Sequence, residues 1–201
     1  MTSIATTLTT KAVFSADGSK RFLLNKEWDS TKPMLTIIML APSDASGIEL
    51  DSTTLLVLNN TARLGYGSVS IVNLFATLND FSLSDAEDED TENMEVILAE
   101  AKKCDTLVYA PGVGKAKNQA FQERSMQVLE QLKPYSKKLM CIGNSTGSVK
   151  LMHPLAPVVR TWHLHSISIE EALQISTNDT VKKTPKQKKN NKEKSSPASQ
   201  K

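Results

Sequence analysis

Apolar runs of strand length alternate along the chain with longer segments whose apolar residues recur at helical spacing. Ala12–Phe14 and Arg21–Leu24 flank the turn pair Asp17-Gly18, a pattern that predicts a β-hairpin. Met34–Leu40 (MLTIIML) is a continuous apolar run, as expected of a central strand buried on both faces. The polar run Asp51–Thr54 leads into a predicted helix, Leu55 to Leu64. Val69–Phe75 (VSIVNLF) is a second buried strand, interrupted by Asn73. Asp80–Glu95 is acidic and predicts a surface loop. The helix it leads into carries Met94, Ile97, Leu98 and Ala101 on one stripe. A third strand, Asp105–Ala110, closes at Pro111-Gly112. Lys115–Leu132 reads as a helix with Ala116, Ala120, Leu129 and Leu132 on related turns, and Leu139–Ile142 as a fourth strand ending at Gly143. Ser168 followed by Glu171 fits a capping box for a short last helix.

Strands alternating with helices predict an α/β fold: a three-layer sandwich with a central, mainly parallel sheet and helices on both faces. Ligands on such sheets bind beyond the carboxyl ends of the strands. That rule selects Ala41–Asp51, the segment after Phe75, Pro111–Lys115 and Asn144–Pro157 as the loops that matter. Residues 1–180 form the expected domain, and residues 181–201 a disordered tail. From Val181 onward there are eight lysines, one glutamate and no large aliphatic residue after the first position, so this segment cannot bury a core. It reads equally as a solvated extension or as a flexible electrostatic tether for nucleic acid. The net charge of +2 hides an asymmetry, because residues 1–180 hold 16 basic and 21 acidic side chains.

At 39% apolar residues the chain can build a core without a disulfide or metal staple. Cys104 and Cys141 both fall in apolar patterns and read as buried small hydrophobes; two cysteines cannot furnish a four-cysteine metal site. Met1 to Lys11 is polar and threonine-rich, unlike a signal peptide, and no segment approaches the roughly 20 apolar residues that span a bilayer. A cytoplasmic protein without membrane contact is expected.

Two motif matches fail on context. Gly143-Asn-Ser-Thr-Gly147 fits a nucleophile elbow around Ser145, but the prolines of Ser148–Pro157 argue against the helix an elbow needs. His153 follows after only eight positions, and no histidine lies beyond the late acid Asp179. Gly112-Val-Gly-Lys115 lacks the upstream glycine of a phosphate loop and has Ala116 where the metal-binding hydroxyl belongs. His163 and His165 share a strand face at metal-ligand spacing, yet no further His or Cys lies nearby, so a surface or satisfied pair is expected and no metal. What remains is a constellation at the strand ends: Ala41-Pro42-Ser43-Asp44, Asp51, Asn73 and His153-Pro154-Leu155. An amide inside a buried strand is costly unless its hydrogen-bonding positions are satisfied, so Asn73 is either a structural amide or a reader of a base edge.

The pieces RFLLNKEWDSTKPMLTIIMLAPSDA, DSTT, RLGYGSVSIVNLFAT and CIGNSTGSVKLMHPL, between Arg21 and Pro157, resemble DUF1643, a family of small bacterial and phage proteins whose name carries no activity. More distantly, the ordered trio Met39–Ser43 (MLAPS), Ile71–Ala76 (IVNLFA) and Met152–Ala156 (MHPLA) is similar to the motifs of the uracil-DNA glycosylase superfamily. That resemblance implies a DNA glycosylase hydrolysing the N-glycosidic bond of a flipped-out base, without a cofactor and as a monomer on DNA. Asn73 would then bind the base edge, His153 would donate to the base oxygen, and Phe75 would stack on the base unless it is a core aromatic. Pro42 and Ser43 would line the pocket. Asp51, or else Asp44, would position water, because Ala41 stands where many relatives have an asparagine or acid. Ser145, Lys115 and Lys150 would meet the DNA backbone, with Lys117 and the tail. The late motif reads His-Pro-Leu rather than His-Pro-Ser, and the body is acidic. The expected substrate is a uracil, damaged or modified base, with these departures counting against uracil, and the expected role is repair or anti-phage defence. The alternatives are a catalytically silent nucleotide- or nucleic-acid-binding module of the same fold, and serine-hydrolase chemistry at Ser145.

Overall fold

The computed structural model describes residues 1–43, 47–78, 91–148 and 150–177. Among the described residues seven strands form one sheet: β1 (Thr9–Phe14), β2 (Arg21–Glu27), β3 (Met34–Met39), β4 (Ser68–Asn73), β5 (Thr106–Tyr109), β6 (Leu139–Gly143) and β7 (His163–Ser166), in the order β1-β2-β4-β3-β5-β6-β7. The expectation of a mainly parallel sheet needs correction. Only the central strands β4, β3, β5 and β6 run parallel, and β1, β2 and β7 pair antiparallel at the two edges. The physical reason lies in the connections. β1 and β2 are joined by a tight turn at Asp17-Gly18, where Gly18 takes φ 74° and Asp17 accepts from the Ser15 and Ser19 hydroxyls. Among the described residues no helix intervenes between β6 and β7 beyond the short 3-10 turn Pro157–Val159, and β7 returns antiparallel beside β6.

Strand alternation divides the core into two apolar clusters. Leu35, Ile37 and Met39 of β3, with Val69 and Ile71 of β4, pack against Val57 and Leu58 of α1 (Ser52–Arg63) and against Trp162. Ile38, Val72, Leu107 and Cys141 face the other way. There they meet Ile97 and Ala101 of α2 (Thr91–Lys103), Phe121 and Val128 of α3 (Gln119–Gln131), and Ala172 of α4 (Ile169–Ser176). Both cysteines are buried free thiols, and burial pushes both up.

Helix boundaries follow caps rather than apolar periodicity. α3 starts at Gln119, four residues later than expected, because Asn118 accepts from the Phe121 N–H; Lys115–Lys117 belong to the preceding turn. Ser168 caps α4 by accepting from the Glu171 N–H, as predicted. The end of the acidic segment, from Thr91, is already helical, while residues 79–90 and the tail 181–201 lie outside the described residues. Among the described residues no helix is long and apolar enough to cross a membrane.

Candidate functional site

The carboxyl ends of the parallel strands gather Ser43 after β3, Asn73 at the tip of β4, Gly112 after β5 and His153 after β6. β3 and β4 are in register, with Met39 opposite Asn73, so the Pro42–Ser43 backbone leaves the sheet beside the Asn73 position. Asp51 joins them as the N-cap of α1, its Oδ1 accepting from the Thr54 N–H at 2.7 Å. Burial pushes the pKa of this carboxyl up. Contacts with Thr54, the nearby Ser43 hydroxyl and the charge of Arg21 outweigh that effect, so it lies below the ordinary carboxylate value. The Ser43 hydroxyl is itself buried without a hydrogen bond of standard geometry, which makes its influence on Asp51 one of proximity.

Asn73 extends the face of β4 defined by Val69 and Ile71, towards α1. It is 1% exposed, and its side-chain Nδ2 is buried without a hydrogen-bond partner. Its backbone carbonyl is occupied, accepting from Asn93 Nδ2 at 3.1 Å. A buried amide donor left open costs on the order of 1–3 kcal/mol.

His153 is half-buried on a loop returned to the sheet by the Met152 N–H, which donates to the Ile142 carbonyl. Leu151, buried just before it, holds φ 54°, a strained left-handed conformation for a leucine. Gly112 also sits in the left-handed region, at φ 80°, and a Cβ there would lie 3.1 Å from His153 Cβ. Only glycine lets the β5 turn approach the histidine this closely. Burial lowers the imidazole below its ordinary value and the Asp51 charge opposes this without cancelling it. Nδ1 accepts from the Leu155 N–H at 3.2 Å, which in the neutral ring puts the proton on Nε2. The result is a neutral imidazole with one N–H left to donate.

The remaining predicted residues are placed less centrally. Phe75 is half-buried and packs on the α2–α3 cluster, the face opposite Asn73, as a core aromatic would. Ser145 is exposed in the turn after β6, and Lys115 and Lys117 are exposed after β5. Lys150 is bound to Glu171 at 2.7 Å. Asp44 lies outside the described residues. His165 bonds the Asn144 carbonyl at 2.9 Å, and His163 is exposed; no group of three or more potential metal ligands occurs among the described residues. Sequence reasoning missed Gly112 as a site residue, since its signal was spent on strand termination. It missed Leu151, whose backbone carries no sequence mark, and an apolar rim: Ile48, Leu50, Leu55, Val113, Leu155 and Val158 are all exposed on these loops or on the first turn of α1.

A family model described as a protein of unknown function, DUF1643, matches residues 21–155, which span Ser43, Asp51, Asn73, Gly112 and His153. Neither the curated proteins nor the solved structures contain a significant match to the chain.

Proposed function

The chain belongs to the DUF1643 family, and from its strand-end geometry we propose that it is a DNA glycosylase of uracil-DNA-glycosylase-like, three-layer architecture. It acts on a damaged or modified base flipped out of DNA. The observation that carries this reading is the buried, unpartnered Nδ2 of Asn73 at the tip of β4. A flipped base entering at the strand ends supplies the missing acceptor from a ring carbonyl or nitrogen. His153, neutral with its proton on Nε2, donates to a base oxygen where negative charge gathers as the glycosidic bond breaks. Asp51, held ionised, orients a water and accepts its proton. The water oxygen bonds to C1′, and the base leaves with the electron pair of the broken C1′–N bond. The apolar rim suits contact with unstacked bases, and Lys115 and Lys117 meet phosphates.

A second reading, a silent base-binding module, is favoured by one observation: Asp51 already spends an oxygen on capping α1. The experiment that separates the two is incubation with oligonucleotides and phage DNAs bearing uracil, damaged bases and hypermodified pyrimidines. Abasic sites are scored by alkaline cleavage. Strand breaks with the native chain, absent with Asn73→Ala and His153→Ala, are expected. DNA binding without breaks on every substrate selects the silent module, and full activity in both variants rejects the site.

A further inference from the structure

β2 sends two cations into the interior. Arg21 is 1% exposed and Lys26 fully buried. Arg21 Nη1 donates to the Ser43 carbonyl at 3.0 Å, and Lys26 Nζ donates to the Gly47 carbonyl at 2.6 Å and to Thr10 Oγ1 at 3.0 Å. Both carbonyls belong to the connection between β3 and Asp51. Burying an ammonium or guanidinium is expensive even when it is hydrogen-bonded. Two such groups also repel, and burial together with the charge of Arg21 depresses the ammonium of Lys26.

We propose that Arg21 and Lys26 are positioning residues of the site, clamping the backbone at Ser43 and Gly47 so that Asp51 is fixed at the head of α1 as an anion. The inference rests on the assignment of Asp51 to the site. Around Asp51 stand Thr54 of its own helix, Ser43 after β3, His153 after β6 and the Arg21 guanidinium from β2. Of these, Arg21 is the cation, since the imidazole is neutral. A carboxylate that must take a proton from water needs a fixed position and an ionised resting state, and the clamp supplies both.

The test uses the full-length chain with Arg21→Met and Lys26→Met, and Arg21→Lys as the conservative variant. The Asp51 carboxyl is titrated by NMR with ¹³C-labelled aspartate, its signal assigned through Asp51→Asn. In folded Arg21→Met the Asp51 midpoint is expected to rise, and Arg21→Lys to bring it back towards the native value. kcat for base release is expected to fall by about tenfold to a hundredfold, with KM changed far less. In Lys26→Met, amide exchange at Ile48–Leu50 is expected to quicken at least about tenfold while β3 and β4 stay protected. An unmoved Asp51 midpoint in folded Arg21→Met overturns the proposal, as does unchanged exchange in Lys26→Met, which decides the matter if Arg21→Met does not fold. Neither the titration nor the exchange needs a substrate, so a chain that releases no base fails the glycosylase reading without touching this one.

Discussion

Asn60 and Asn73 are both buried asparagines, 4% and 1% exposed, and they differ in how fully they are used. Asn60, in α1, fills all four of its hydrogen-bonding positions. Its Nδ2 donates to the carbonyls of Leu56 and Arg160, and its Oδ1 accepts from the Trp162 N–H and from Arg63. It joins the helix to the segment that carries Trp162, and its whole capacity is consumed in that joint. Asn73, at the tip of β4, leaves its amide nitrogen without a partner. The same side chain in the same fold thus serves as a completed structural link in one place and an open valence in the other. Thr61 Oγ1 and Trp162 Nε1 are also buried without a partner, so it is the place of Asn73 at the strand ends that sets it apart, and under the proposed function a ligand supplies its missing acceptor.

Mutations can break this contrast, and the largest effect is expected at Asn73. Asn73→Ala removes an unsatisfied donor, so the urea midpoint should hardly move while base release falls by about a hundredfold or more. Asn60→Ala should do the reverse. It orphans the Trp162 N–H and the Arg160 carbonyl, and a loss of about 3 kcal/mol in urea unfolding is expected, with kcat preserved in the folded fraction. If both variants lose stability alike, Asn73 is structural after all. Gly112→Ala places a methyl against His153 and forces a left-handed alanine. About 1–2 kcal/mol of stability should go, with a shifted His153 ring resonance by NMR and weakened base release. A variant that leaves the ring signal in place would show that Gly112 serves only its own turn.

The smallest expected effect concerns acid. The folded Asp51 carboxyl lies below its ordinary value of 3.8, so its contribution to stability is fully present above that pH and is lost as pH falls through the folded value. Asp51→Asn keeps a good helix cap, so stability at neutral pH should change little. Its decline in acid should be shallower than that of the native chain. An identical acid profile for the two proteins would show that the folded Asp51 carboxyl is not held below its ordinary value.

Much of the arrangement was legible before any coordinates. The MLTIIML and VSIVNLF runs announced central strands, Asp17-Gly18 announced the hairpin, and the strand-end rule picked the loops that hold Ser43, Asp51, Gly112 and His153. Asn73 stood out because a lone amide in an apolar strand breaks a period that burial otherwise enforces. These features are local: each follows from the residue's own chemistry and its neighbours along the chain, and the sequence by itself determined them.

Other features were decided only by the tertiary structure. The antiparallel edges depend on which strand edges were left to pair, and no apolar run records that. Phe75 turned out to face the α2–α3 cluster, a matter of which side of the sheet the chain takes after β4 ends. The link of Lys150 to Glu171 joins groups 21 residues apart. The clamp of Arg21 and Lys26 reaches carbonyls 22 and 21 residues away, and the proximity of Gly112 to His153 spans two loops. Each of these is a contact between segments distant in sequence, and its energy exists only once the sheet has brought them together.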